Sequence, residues 1–169
     1  MKLPLAILLI LSLGMLAAQT GPVQNLRQQV AHNPLDASAR LNLAYQLMLS
    51  GNSSEALSHY ETLLRQDTHR ETAMAGVLWA LQSEKQFRQS IKRADEFLAS
   101  SSNPSPILNY KAYALSAEGK HLNARSSYAK AGKLAQDESD AQRATLGLAW
   151  AYLWLSDVPR ARTQLNKLT

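Results

Sequence analysis

A spacing of 34 residues is the feature of this sequence that most restricts its fold. Residues 36–68 contain two apolar-periodic segments separated by a Ser-Gly-Asn-Ser break. The same pattern recurs twice at intervals of 34 residues, and a fourth copy follows after three extra residues. A helix pair of this length cannot bury its apolar face alone, so successive pairs have to stack. The sequence therefore predicts an all-α repeat protein, a solenoid of antiparallel helix pairs.

The composition agrees with helices throughout. Hydrophobic residues make up 46% of the 169 residues, which is enough for a sizeable core, while Gly (7) and Pro (6) are sparse. Alanine and straight-chain residues lose little entropy on entering a helix. Because the chain has no cysteine, it contains no disulfide, thiolate metal site or cysteine-linked lipid.

The net charge of +5 does not by itself indicate a nucleic-acid partner. The densest basic patch comprises Lys85, Arg88, Lys92 and Arg93, and it is interleaved with glutamine and serine. Long basic side chains suit exposed helix positions, so a solvated helical face explains the patch. Nucleic-acid binding is the alternative, and we predict no nucleic-acid partner.

The first 18 residues have the form of a signal peptide. Lys2 provides a positive start, residues 3–16 an apolar stretch, and Ala17 and Ala18 a small-residue exit. The apolar stretch is shorter than the roughly 20 residues that span a bilayer. We therefore predict cleavage after Ala18 and export to the periplasm. The alternative is an uncleaved segment that anchors the chain in the inner membrane, which would be its only contact with a membrane.

The rest of the chain divides into a short leading part and four repeat units. Residues 24–32 form a helix that Pro34 ends, because proline disfavours helical geometry in the residue before it. The predicted boundaries are 19–35 for the linker and partial repeat, then 36–70, 71–104, 105–141 and 142–169 for the four units.

Polar residues that precede the apolar segments predict where the helices begin. Asp36 is expected to cap the first helix of the first unit. Thr68 and Glu71 have the spacing of a capping box for the second unit. The third unit is predicted to open with Ser105 as the cap and Pro106 at the first helical position.

Small residues recur where the two helices of each unit should approach most closely. Helix axes come within about 8–10 Å, so the closest approach needs a small side chain. These positions hold Ala44, Ala112 and Ala149 in first helices, and Ala56, Ser90, Ala124 and Ala161 in second helices.

The combined pattern resembles the tetratricopeptide repeat family over residues 23–169. Ala44, Gly51, Ala56 and Tyr60 carry its small-residue signature, and the equivalent residues of the third unit repeat it. The second unit is the least typical, with Ala94 where an aromatic residue is usual. The resemblance implies a right-handed superhelix whose concave groove, lined by the first helices, binds partner proteins or peptides.

In the register of that family, one aromatic residue in each first helix points into the groove. The predicted groove residues are Tyr45, Trp79, Tyr113, Trp150, Leu41, Met48, Asn109, Leu153 and Trp154. The groove is expected to be aromatic and mostly uncharged. Aromatic side chains offer large contact areas at low entropic cost, so they favour a peptide-binding surface. The alternative is that the rings only fill gaps between adjacent first helices.

Catalytic motifs are not apparent. The four histidines, His32, His59, His69 and His121, are spread along the chain, and no two of them have metal-binding spacing. We predict no enzyme activity, no cofactor and no metal. Leu165 and Leu168 would leave apolar surface at the last repeat, which predicts that another chain covers it, for example by self-association through that end. The alternatives are a further domain that covers the surface, or a last helix that frays and leaves a small exposed patch.

The sequence thus predicts an exported, non-catalytic adaptor that binds a protein or peptide and assists the assembly of a bacterial envelope complex. One alternative is an accessory domain of an envelope enzyme or polysaccharide exporter. Another is a glycan-binding module, because sugar rings also stack on tryptophan and tyrosine.

Overall fold

The computed structural model describes residues 21–168; the predicted signal peptide lies outside them. This part of the chain is all-α. Its helices are α1 (Pro22–His32), α2 (Ala37–Leu49), α3 (Ser53–Arg65), α4 (Arg70–Ser83), α5 (Phe87–Leu98), α6 (Pro104–Ala117), α7 (His121–Leu134), α8 (Glu138–Trp154) and α9 (Val158–Leu165). None of the helices within residues 21–168 is long and apolar enough to cross a membrane.

The helices form a solenoid of antiparallel pairs, as predicted. Each helix packs against the next one along the chain. The first helices of successive units, α2, α4, α6 and α8, also contact one another. Within residues 21–168 the second helices, α3, α5, α7 and α9, make no comparable contacts with each other. The first helices therefore line the inner, concave side of the stack.

Two of the predicted helix boundaries are confirmed. Asp36 caps α2, because its carboxylate accepts a hydrogen bond from the Ala39 N–H at 2.9 Å. The short helix α1 ends at His32, directly before the Asn33–Pro34 pair. Both outcomes follow from local chemistry: a side-chain acceptor for an unpaired N–H, and a proline that stops helical geometry.

The predicted capping box at the second unit is wrong. Helix α4 follows His69, whose φ of 46° is left-handed and whose side chain makes no capping bond. The Glu71 carboxylate turns instead toward the loop after α5, where it accepts from Ser101 Oγ at 2.5 Å and from the Ser102 N–H at 2.8 Å. Glu71 therefore ties two units together rather than closing its own helix.

The openings of the third and fourth units also differ from expectation. Helix α6 begins two residues earlier than expected, at Pro104 instead of Pro106, and Ser105 is fully buried, with its Oγ donating to the Ala131 carbonyl at 3.1 Å. Helix α8 begins at Glu138, so it crosses the boundary drawn between residues 141 and 142. Its cap is Asp137, which accepts from the Asp140 N–H at 2.8 Å.

The core lies between the helices of each unit and between successive units. The small residues predicted at the helix crossings are all buried; they are Ala44, Ala56, Ser90, Ala112, Ala124, Ala149 and Ala161. Leu43, Leu47, Leu63, Leu81 and Ile107 fill the space beside them. The structure thus confirms that small side chains occupy the close approaches while larger ones supply the buried apolar area.

Two junctions between units depend on a glycine in the middle of a helix. At the first junction, a Cβ atom on Gly76 would overlap the ring of Tyr60. At the third junction, a Cβ atom on Gly147 would overlap the ring of Tyr128 in the same way. Each tyrosine comes from the second helix of one unit and lies against the first helix of the next. Glycine is required because only the bare backbone leaves room for the ring.

At the second junction the large and small residues change places. The residue equivalent to Tyr60 is Ala94, and the residue equivalent to Gly76 is Tyr110. Both belong to one apolar cluster with Phe97 and Ile107. The apparent departure of Ala94 from the repeat pattern is therefore compensated by a tyrosine on the facing helix.

Candidate functional site

The concave side carries an aromatic residue at the same place in each first helix. Tyr45, Tyr113 and Trp150 are between 50 and 58% exposed. Trp79 is half-buried. The four rings lie on the four first helices, α2, α4, α6 and α8. Their exposure leaves them available for contact with another molecule.

The aromatic row does not stack evenly along the groove. Tyr45 and Trp79 form a tilted pair with ring centroids 6.0 Å apart. Tyr113 instead forms an edge-to-face pair with Phe87, the first residue of α5, with ring centroids 6.2 Å apart. The rings of the first two units therefore support each other, while those of Trp79, Tyr113 and Trp150 border an open space.

That space is a cavity of about 420 Å³ between α4, α6 and α8. Its volume lies in the range of sites that bind small ligands or single side chains. The residues that line it are Trp79, Gln82, Ser83, Asn109, Tyr110, Tyr113, Tyr128, Arg143, Leu146, Gly147 and Trp150. Four of the predicted groove residues, Trp79, Tyr113, Trp150 and Asn109, are thus brought together at one place.

Other predicted groove residues lie elsewhere. Met48 is only 6% exposed and belongs to the core, because it follows Ala44 by four residues and shares its buried face. Leu41 is half-buried against the same core. Leu153 is exposed, and Trp154 stacks in parallel on His121 with centroids 5.1 Å apart.

Asn109 is nearly fully buried, at 2% exposure, rather than open to the groove. It precedes the buried Ala112 by three residues on the same face of α6. Its Nδ2 donates to the Asp140 carbonyl at 3.3 Å, and its Oδ1 has no hydrogen-bond partner. The side chain therefore lies at the bottom of the cavity, where it ties α6 to α8.

Sequence reasoning missed one charge and three residues of the cavity floor. Arg143 places a guanidinium in a groove that was expected to be mostly uncharged. It precedes Leu146 by three residues and Trp150 by seven, a spacing that puts all three on one helix face. This spacing was the available signal. Tyr110, Tyr128 and Gly147 were missed because the junction pairing was not apparent.

The tyrosines of the cavity floor are held in their neutral form. Burial raises the pKa of Tyr128 to about 12, and the nearby Tyr113 adds to the effect. Burial also raises the pKa of Tyr110, with Asp140 adding to the increase and Arg143 opposing it. The floor is thus aromatic and uncharged at neutral pH, and the guanidinium of Arg143 stands beside it.

The carboxylates of Glu84 and Glu118, at equivalent positions directly after α4 and α6, each accept a hydrogen bond from the preceding unit. Glu84 accepts from Ser54 Oγ at 3.2 Å, and Glu118 accepts from Arg88 Nε at 2.9 Å. Both carboxylates join successive units. Within residues 21–168 no group of three or more histidine, aspartate or glutamate residues could hold a metal ion.

Comparison with known proteins agrees with this architecture. A family model described as tetratricopeptide repeat matches residues 16–95. The fold is a tetratricopeptide repeat solenoid. It is the right-handed superhelix of helix pairs that the resemblance to this family implied. No curated protein matches the chain in sequence.

Solved tetratricopeptide repeat structures share this fold over most of the chain. The thermophilic protein TTC0263 of Thermus thermophilus is 17% identical, with a TM-score of 0.71, over 93% of this chain and 84% of its own. A crystal structure of MamA is 16% identical, with a TM-score of 0.68, over 86% of this chain and 83% of its own. A MamA fragment from Desulfovibrio magneticus is 14% identical, with a TM-score of 0.67, over 86% of this chain and 80% of its own.

Proposed function

We propose that this protein is a non-catalytic adaptor that binds a segment of a partner protein in its concave aromatic groove. The observation that carries the proposal is the cavity bordered by Trp79, Tyr113 and Trp150. Tetratricopeptide repeat folds generally bind proteins and are generally not catalytic. An aromatic cavity with few polar groups is typical of the centre of such a contact.

The rings of the groove are better placed for binding than for packing alone. A ring that only filled a gap between two helices would be buried by both of them. Tyr113 and Trp150 keep more than half of their surface exposed. Trp79 is half-buried and pairs with Tyr45, so it both packs against a neighbouring ring and borders the cavity.

The proposal includes export to the bacterial envelope. It rests on residues 1–18, with Lys2 before an apolar stretch and Ala17–Ala18 at its end. In that compartment the adaptor would assist the assembly of an envelope complex. Mass spectrometry of the protein from the membrane and periplasmic fractions tests this part. We expect a periplasmic chain that starts at Gln19; recovery only from the cytoplasm would refute export.

Site-specific photocrosslinking in cells tests the groove. A photoreactive amino acid replaces Tyr113, and in a matched control it replaces Leu122, which is exposed on α7 outside the cavity. We expect a crosslinked protein from position 113 that disappears when Trp150→Ala is added. Equal crosslinking from position 122, or an unchanged product with Trp150→Ala, would contradict the proposal.

The same variants separate the alternative functions. Glycan-array binding by the wild-type chain, lost with Trp150→Ala and without any protein crosslink at position 113, would replace the adaptor with a glycan-binding module. A crosslink to an envelope enzyme would instead make the chain an accessory domain of that enzyme. Circular dichroism melting is the control for folding. Trp150 is largely exposed, so its replacement should leave the melting temperature nearly unchanged.

A further inference from the structure

The cavity presents an amide whose orientation is fixed by its surroundings. Gln82 Nε2 donates to Ser90 Oγ at 2.9 Å and to the backbone carbonyl of Tyr110 at 2.8 Å. Both amide hydrogens are therefore used, and the reversed orientation would set the amide oxygen against a carbonyl. Gln82 Oε1 remains as an acceptor at the cavity wall, so a ligand has to bring a donor.

Arg143 is weakly paired compared with other arginines of the solenoid. Its Nη1 lies 3.8 Å from Asp140 Oδ1, which is too far for a hydrogen bond, and its side chain is 52% exposed. Arg27, Arg88 and Arg93 instead lie 2.7 to 2.9 Å from a carboxylate oxygen.

Asp140 is a poor partner for this guanidinium. Its side chain is almost completely buried, and burial together with Asp137 raises its pKa. The guanidinium of Arg143 thus keeps donors for a carboxylate from outside, and such pairs are among the stronger hydrogen-bonded contacts.

The groove extends beyond the cavity toward the amino terminus, where Tyr45 lies next to Trp79 with ring centroids 6.0 Å apart. A bound chain would therefore run from the cavity over these two rings instead of being confined to the cavity. Within residues 21–168, Arg143 is the only cationic residue among those that line the cavity. This favours a single side-chain carboxylate within a longer segment over a carboxyl-terminal one.

We propose that the cavity anchors an internal acidic segment of the partner protein. A glutamate or aspartate of that segment pairs with Arg143, and an adjacent bulky apolar side chain lies against Tyr113 and Trp150. A backbone N–H of the segment donates to Gln82 Oε1. This inference rests on the proposed peptide-binding function and specifies its ligand.

Peptide phage display tests the inference directly. One random library is displayed inside a loop, so that its peptides have no free carboxyl terminus, and a second is displayed with a free carboxyl terminus. Both are selected on the wild-type chain. We expect the loop library to yield a consensus with an acidic residue next to a bulky apolar one. A consensus without the acidic residue, or one found only at free carboxyl termini, would overturn the inference.

Arg143→Gln is the decisive variant. It removes the charge while keeping a polar side chain, and Arg143 is exposed enough that folding should be unaffected. We expect the acidic preference to disappear while the apolar preference remains. The selected wild-type peptide should lose roughly ten- to a hundred-fold in affinity, in line with a charge-assisted contact.

Arg162→Gln is the matched control, because it makes the same charge change on exposed α9, away from the cavity. Equal losses from both arginine variants would indicate a non-specific effect of net charge and would refute the anchor site. A wild-type chain that selects no peptide, or selection that is insensitive to Trp150→Ala, would refute the groove function itself. Peptides that bind without any acidic preference would refute only the present inference.

Discussion

The outer junctions of the solenoid and the middle one solve the same packing problem in opposite ways. Tyr60 and Tyr128, at the outer junctions, each place a ring from a second helix over a glycine in the next first helix. At the middle junction the second helix contributes Ala94, and the first helix contributes Tyr110. A tyrosine ring is kept at all three junctions, buried at the outer two and partly buried at the middle one, and the helix that supplies it changes.

This exchange also shapes the candidate site. Because the middle ring comes from α6, Tyr110 reaches the concave side and lines the cavity. At the third junction Gly147 has no side chain, so the Tyr128 ring of α7 packs against the backbone of α8 and lines the cavity beside it. The cavity therefore lies where the two kinds of junction meet. Packing between units and the form of the groove are set by the same residues.

The largest expected effect comes from converting the first junction into the arrangement of the middle one, which tests whether the two arrangements are equivalent. Tyr60→Ala should destabilise the fold by roughly 3–5 kcal/mol, because it empties a fully packed site. Gly76→Tyr alone should be at least as damaging, since its ring would overlap that of Tyr60. Combined, the two changes reproduce the Ala94–Tyr110 arrangement. We expect a favourable coupling of roughly 3 kcal/mol in urea unfolding followed by circular dichroism. Additive losses would show that the exchange is not compensatory.

A smaller change tests the glycine at the third junction. Gly147→Ala should cost roughly 1–3 kcal/mol, because its Cβ would meet the Tyr128 ring. Gly132→Ala, on α7, is the matched control, since its Cβ would make only an ordinary contact of 3.5 Å with Ala144 Cβ. The control should gain up to about 1 kcal/mol from helix propensity. Unfolding in urea measures both, and equal stabilities would argue against a required close approach.

Alkaline unfolding compares the tyrosines of the two junction types. Burial raises the pKa of Tyr60 and of Tyr128 from 10.0 to about 12. A raised pKa means that their stabilisation is complete below pH 10 and is lost as the pH rises toward 12. Each should contribute roughly 2–3 kcal/mol of that loss. Tyr60→Phe and Tyr128→Phe should each reduce the pH dependence by this amount.

Tyr110→Phe completes the alkaline series. The pKa of Tyr110 is also raised by burial, but Arg143 opposes the shift. We therefore expect a smaller reduction than in the two outer variants. Melting temperatures recorded across the alkaline range provide the measurement. An equal effect of all three substitutions would mean that the two junction types bury their phenols equally.

The repeat architecture could be predicted from sequence because it follows from a period and from residue size. The small residues Ala44, Ala56 and Ala124 recur at fixed spacing, and all are buried. Ala94 departs from the repeat pattern within its own unit, because its compensation, Tyr110, lies in the next unit. A single unit contains only half of each junction, so the pairing becomes apparent only when facing helices are known.

The candidate site was less predictable for reasons of helix rotation. The family register placed Met48 in the groove, yet its spacing of four from Ala44 turns it into the core. The same reasoning applied to Arg143, which shares a face with Trp150, would have found the groove cation. The capping box predicted at α4 is wrong because Glu71 accepts a hydrogen bond from Ser101, in the loop after α5, rather than bonding within its own helix.

The smallest expected effect concerns the turn after each first helix, where the units differ in another way. One residue there is left-handed in all four units: Gly51 (φ 80°), Lys85 (58°), Gly119 (73°) and Ser156 (60°). Glycine adopts this geometry without strain, whereas for a residue with a Cβ it costs roughly 1–2 kcal/mol, offset in part by the lower backbone entropy of its unfolded state.

Lys85→Gly should therefore stabilise the protein by roughly 0.5–1 kcal/mol, and Gly51→Ala should destabilise it, both measured by urea unfolding. If Lys85→Gly lost stability instead, the lysine side chain would have to contribute a contact that outweighs the strain. The second unit would then differ from the first in more than the junction that it shares with the third.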